Sequence, residues 1–200
     1  MPVETPRLLI RPYRENDLAA LHDIHRRPEV VRYVSWPAHA GLEDSRLLLE
    51  TRMAVPGLAN DGDKLVLAVT DKRHGRLLGE VALILNDRAV LQGEIGFILH
   101  PDHQGHGYAH EAAQAMLEIG FGTAGLRRII GRCDARNAAS AGLMEKLGMR
   151  REAHFRQSEW IKGEWIDRLM SLIRIDDNFL PESGESNPSR WQTITRHFGK

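Results

Sequence analysis

The stretch from Lys64 to Leu99 constrains this chain most. Leu65-Val66-Leu67-Ala68-Val69, Leu77 to Leu85 and Val90 to Leu99 follow one another with only Asp71 to Gly75 and Asn86-Asp87 between them. Each run is apolar and bounded by turn residues, so each reads as a strand. Parallel neighbours need a crossover of about a dozen residues or more, and these links are too short for one. The three runs therefore predict an antiparallel meander.

Beyond it the period changes. Ala109, Ala112, Ala113, Met116, Leu117, Gly120 and Phe121 fall at helical spacing, which is the clearest helix in the sequence. Ile129 to Asp134 reads as a strand, and Asn137 caps a helix carrying Ala139, Leu143 and Leu147 that Gly148 stops. Arg150 to Trp160 and Trp165 to Ile175 form a hairpin around Lys162-Gly163-Glu164. Ahead of the meander lie a strand at Arg7 to Arg11, a helix from Asp17 to His25 with Leu18, Leu21 and Ile24 inward, and a helix from Gly41 to Met53. Pro56-Gly57 and Asn60-Asp61-Gly62-Asp63 then mark a surface loop. The order is strand, two helices, three strands, helix, strand, helix, two strands.

A chain of 200 residues, 42% hydrophobic, is expected to bury one core, in a single domain over residues 1–177. Residues 178–200 turn polar and proline-rich and read as a tail, although Trp191, Ile194 and Phe198 at near-helical spacing allow its end to dock on this chain or a neighbour. Lysine plus arginine balances aspartate plus glutamate, 27 against 27, so no net field favours nucleic acid or an anionic membrane as partner. Cys133 is the single cysteine, which excludes an internal disulfide and a multi-thiolate zinc site and suits a reducing cytoplasm. Arg7, Arg11 and Arg14 interrupt the start of the chain, unlike a signal peptide, and no window approaches the roughly 20 apolar residues of a membrane span.

The candidate site is the junction Gln104-Gly105-His106-Gly107-Tyr108-Ala109, between the last meander strand and the long helix. A helix start leaves backbone amides unpaired and carries about half a positive charge, so a diphosphate fits there. Gly105 and Gly107 clear side chains from the approach and permit positive φ. Glycines alone could equally make a tight turn. The Walker loop is excluded because no Gly-Lys-Ser or Gly-Lys-Thr follows, and the Rossmann fingerprint because His110 stands where its third glycine belongs.

The junction resembles the Gln/Arg-x-x-Gly-x-Gly/Ala signature of the GNAT superfamily of N-acetyltransferases. Three further blocks are similar to its RimJ/RimL-type branch of ribosomal-protein N-terminal acetyltransferases: Thr5 to Pro12, Asn137-Ala138-Ala139-Ser140 with Glu145-Lys146-Leu147-Gly148-Met149, and Lys162-Gly163-Glu164-Trp165-Ile166-Asp167. The resemblance covers residues 5 to 176 and implies a mixed α/β fold. That fold has a mostly antiparallel sheet of about seven strands, helices on both faces, and a V-shaped splay between strands 4 and 5. It implies direct acetyl transfer from acetyl-coenzyme A to a primary amine, a protein N-terminus or a small molecule, by a monomer or homodimer without a metal.

In the same terms, Gln104, Gly105, His106, Gly107, Tyr108 and Ala109 hold the diphosphate, the amides of Ile98 and Leu99 meet the thioester and pantetheine, and Asn137 caps its helix or touches pantetheine. Many relatives protonate the leaving thiolate with a tyrosine where this chain has Met144, so Ser140, one turn earlier, is the remaining acid, or else a helix serine bonded to backbone. Glu94, flanked by Ile95, Phe97, Ile98 and Leu99, is either a desolvated general base acting through water or a carboxylate at the wet end of a strand or paired with an arginine. Glu159 is the second candidate base. Three rival readings remain: a metal on His100, His103, His106 and His110, a non-catalytic coenzyme A sensor, and an acetyl intermediate on Cys133.

Overall fold

The computed structural model describes residues 2–54 and 57–176; the suggested docking of the 178–200 tail lies outside them. Eight strands form one open sheet in the order β1-β2-β3-β4-β5-β6-β8-β7. They are β1 (Val3–Glu4), β2 (Leu8–Arg11), β3 (Lys64–Asp71), β4 (Leu77–Asp87), β5 (Gln92–Leu99), β6 (Arg128–Asp134), β7 (Arg150–Ile161) and β8 (Glu164–Arg174). The expected seven become eight because Val3 and Glu4 pair with Ile10 and Leu9 at the sheet edge.

The meander forms as its links require, β3 with β4 and β4 with β5, both antiparallel. β3 shows why its sequence does not alternate. Leu65, Leu67 and Val69 enter the core under one set of helices, while Val66 and Ala68 enter the core under the other. A strand covered on both faces reads as a continuous apolar run.

One face is covered by α1 (Leu18–His25) and α3 (Leu42–Met53), whose Leu21, Ile24 and Leu49 pack on Val66, Ala68 and Leu77. The short α2 (Pro28–Val31) leads away from α1 and was not legible beforehand. The other face carries α4 (Tyr108–Glu118) and α5 (Ala138–Lys146), which bury Met116, Leu117 and Met144 against Leu83, Ile95 and Ile129. The periodic run that extended to Phe121 leaves the α-helix at Glu118 and continues as a π turn over Ile119–Thr123. Gly120 sits there because a Cβ would come within 2.6 Å of Ile129 Cδ1; the glycine lets this turn press on the sheet.

The sheet opens at one seam. β5 and β6 run parallel and pair only from Gln92 to Glu94 against Arg128 to Ile130. β6 then follows β8 along its whole length, Arg128 opposite Arg174 through Asp134 opposite Arg168, so the ends of β5 and β6 part. This is the anticipated splay.

Candidate active site

A cleft of about 1360 Å³ runs along the seam, walled by the end of β5, the start of α4 and the start of α5. It exceeds the usual volume of a single small-ligand pocket, leaving room for an extended ligand and a second substrate. α2 and the residues just after it close one side with Glu29, Val30, Tyr33 and Val34, a wall that local sequence did not announce.

At the mouth, β5 ends at Leu99 and a 3-10 turn at Pro101–His103 leads into the cradle. Gly105 has φ 77° and Gly107 has φ 80°, both left-handed, as the two glycines were expected to allow. Among the described residues no acceptor meets the amides of residues 105 to 110; the first helical bond here is from the Glu111 amide to the Gly107 oxygen. Several unpaired N–H groups at a helix start make an anion site. The Gln104 side chain turns back to the Leu99 oxygen at 3.0 Å, so it shapes the loop while the residue itself lines the cleft. Gly105, Gly107, Tyr108 and Ala109 also line it; His106 does not, its Nδ1 lying 2.7 Å from the Gln104 oxygen.

His100 fixes the loop from behind. Its Nδ1 accepts from the Asp102 amide at 3.2 Å, which leaves the proton on Nε2, and Nε2 donates to Asp23 of α1 at 3.0 Å. Arg26 above all, with Arg27 and His100, pulls the Asp23 carboxyl down to about 2. His110 meets the Lys146 oxygen at the end of α5 at 3.2 Å, so His100 and His110 each tie the loop or α4 to another element.

The strand amides require a correction. Ile98 lies opposite Glu80 and Leu99 opposite Gly79, and the His100 amide donates to the Leu78 oxygen at 2.8 Å. Amides alternate in direction along an antiparallel ladder. Those of His100 and Ile98 therefore face β4, and those of Leu99 and Phe97 face the gap. The Ile98 oxygen confirms the direction, since a Cβ on Gly79 of β4 would come within 2.0 Å of it. The expected pair Ile98 and Leu99 becomes Phe97 and Leu99.

Across the gap, Asn137 caps α5 through its Oδ1, which accepts the Ser140 amide at 3.1 Å. Both residues line the cleft. The Ser140 hydroxyl lies against the Cys133 thiol; burial pushes that thiol up and Ser140 only tempers the rise, so Cys133 stays a neutral buried group. Met144 is fully buried, its sulfur packed at Gly131, and offers the site no proton.

Glu94 and Glu159 stand apart from the cleft lining. Glu94 is shielded, its side chain 13% exposed, as its apolar neighbours imply. It is also paired: Arg132 grips both oxygens at 3.0 and 2.7 Å and the Asn86 amide adds a third bond at 3.0 Å. Arg168 likewise holds both oxygens of Glu159 and keeps its carboxyl below the usual range. Of the readings open for Glu94, the arginine pair is the arrangement found and the wet strand end is not.

An open sheet parted between two parallel strands, with strand amides facing the gap and an anion-receptive helix start at its mouth, defines an acyltransferase of the N-acetyltransferase type. Residues 7–150 match the acetyltransferase (GNAT) domain, and the chain belongs to that family. The chain is 31% identical over 186 residues to the uncharacterized N-acetyltransferase YnaD of Bacillus subtilis (strain 168), covering 86% of this chain and 96% of that protein. The crystal structure of a GNAT-family acetyltransferase from Bacillus anthracis superposes with a TM-score of 0.78 at 30% identity, over 87% of this chain and 98% of that one. RimL, a ribosomal L7/L12 alpha-N-protein acetyltransferase solved with coenzyme A, shares the fold with a TM-score of 0.77 at 18% identity, over 89% and 100% of the two chains. The protein is thus an N-acetyltransferase, and no helix among the described residues is long and apolar enough to cross a membrane.

Proposed function

We propose that the protein transfers the acetyl group of acetyl-coenzyme A directly to a primary amine, a protein N-terminus or a small-molecule amine, as a member of the RimJ/RimL-type branch. The observation that carries this is the row of unpartnered amides at residues 105 to 110, standing at the mouth of the parted strands. The branch placement rests on the four sequence blocks at Thr5, Gln104, Asn137 and Lys162 and on the likeness of fold to RimL.

Acetyl-coenzyme A supplies an activated thioester; the chain's residues place and polarise it. The amides of Gly105 to Ala109, on a loop shaped by Gln104 and His106, hold the diphosphate. Leu99 and Phe97 offer amides to the carbonyl oxygen as it gains charge, an arrangement that acts only when charge develops. Asn137 both caps α5 and faces pantetheine. A C–N bond forms as the C–S bond breaks, and Ser140 hands its proton to the departing thiolate while taking one from water, which closes the proton balance. The amine's proton would leave through water to Glu94 or, as the second candidate, to Glu159, neither of which lines the cleft and each of which is held by its arginine.

The test is thiol release from acetyl-coenzyme A against N-terminal peptides, polyamines and aminoglycosides, with calorimetry of coenzyme binding alongside. Turnover with one acceptor class is expected. Failure to bind acetyl-coenzyme A would remove the reading of the cradle.

A further inference from the structure

The N-terminal arm is fastened to the cradle by a single carboxylate. Glu111, on the first turn of α4, accepts from the Thr5 hydroxyl at 2.5 Å and the Arg7 amide at 2.8 Å through one oxygen, and from Arg7 Nε at 2.6 Å through the other. Arg7 Nη1 then donates to the His106 oxygen at 2.8 Å, and its guanidinium carbon lies 4.6 Å above the Tyr108 ring. Glu111 is 14% exposed, while Arg7 remains 48% exposed. The carboxylate is therefore behind and the cation in front.

A guanidinium has five N–H bonds. Nε and Nη1 engage Glu111 and His106, and among the described residues no acceptor meets Nη2. Nη2 borders the cradle, since a Cβ on Gly107 would come within 3.2 Å of it. It thus sits beside the same unpaired amides. Of the described lysines and arginines only Arg7 and Lys146 line the cleft, so the charge of a diphosphate finds few cations there. A guanidinium edge suits phosphate oxygens, and a carboxylate behind it removes the rotamer freedom that binding would otherwise have to freeze.

We propose that Arg7 is a diphosphate-binding residue of the coenzyme site, aimed by Glu111. This rests on reading residues 105 to 110 as the coenzyme cradle. The arm from Thr5 to Arg7 is then part of the site, although it lies about a hundred residues away in sequence.

Calorimetry of coenzyme A and dephospho-coenzyme A with wild type and Arg7→Gln decides it. Wild type that binds no coenzyme A would overturn the cradle and this assignment with it. Arg7→Gln is expected to weaken both ligands by the same factor, about ten- to a hundredfold, and to make binding less sensitive to ionic strength. A merely structural arginine would not change the salt dependence. Affinity within about twofold of wild type overturns the assignment while leaving the cradle intact, and so does a loss confined to coenzyme A, which would place Arg7 on the 3′-phosphate. Should Arg7→Gln not fold, Arg7→Lys keeps the charge without the fork; there too a loss shared by both ligands is expected, and wild-type affinity overturns the proposal.

Discussion

The two cradle glycines differ in one respect that makes them a controlled pair. Gly105 and Gly107 both sit near φ 80°, but a Cβ on Gly105 meets nothing within 4 Å, whereas one on Gly107 comes within 3.2 Å of Arg7 Nη2. The left-handed conformation costs an alanine about 1–2 kcal/mol. The arginine tip can yield, so Gly105→Ala and Gly107→Ala should share that cost and little else. If the loop keeps its shape, the cost appears as a melting temperature lowered by about 2–8 °C for a chain of this length. If the loop relaxes out of the left-handed region, stability recovers and coenzyme affinity falls instead, by roughly five- to thirtyfold, because binding must restore the strain. Thermal unfolding and calorimetry on each variant measure the two parts, whose sum should come to about 1–2 kcal/mol. Two alanine variants that match wild type in both would refute the account of the loop. Gly107→Val should lose more affinity than Gly105→Val, since only the former pushes on Arg7.

Ser140→Ala should lower turnover by about a hundredfold or more with coenzyme affinity changed little, and equal losses in both would return Ser140 to a structural role. For Glu94, a cycle of Glu94→Gln, Arg132→Gln and the double variant separates pair from base. A structural pair gives a coupling below about 1 kcal/mol, Arg132 being half exposed, and similar turnover for both single variants; a base gives a turnover loss for Glu94→Gln alone. His25 is buried with neither ring nitrogen hydrogen-bonded among the described residues, and burial lowers its pKa below 6.5 even with Glu80 of β4 pulling the other way and His39 and Arg52 reinforcing it. A folded pKa below the unfolded one means the unfolded chain takes up the proton first, so this group's contribution is whole above about pH 6.5 and declines as pH falls from there toward the folded pKa. His25→Phe should flatten that decline and gain about 1 kcal/mol at pH 5.5 relative to wild type in urea unfolding; an unchanged pH profile would show that His25 does not carry it.

The elements legible in the sequence were those fixed by local period. The meander, α4 and the β7–β8 hairpin each repeat one spacing over enough residues to outweigh competing conformations. Val3–Glu4 and Pro28–Val31 are too short to show a period, and each exists because of a neighbour that only the folded chain supplies. The same division holds in the site. Gly105 and Gly107 were readable because positive φ at a strand-to-helix junction leaves a mark in residue type. His100 with Asp23, 77 residues apart, and Glu94 with Arg132, 38 apart, leave none: a histidine or glutamate looks the same in sequence whether its partner is water or an arginine.

The choice between Ile98 and Leu99 shows where residue type stops informing at all. Both are apolar and adjacent, and both line the cleft, yet only one turns its amide to the gap. What decides is the pairing of β5 with β4, set by Leu99 opposite Gly79 and continued by the His100 amide on Leu78. A one-residue slip of that register would exchange the two amides and turn every side chain of β5 to the other face. Gly79 permits the observed register, because any side chain there would meet the Ile98 oxygen and the Leu99 backbone. The direction of the Leu99 and Phe97 amides thus depends on a glycine of the neighbouring strand, and substitution of Gly79 should damage turnover as well as folding.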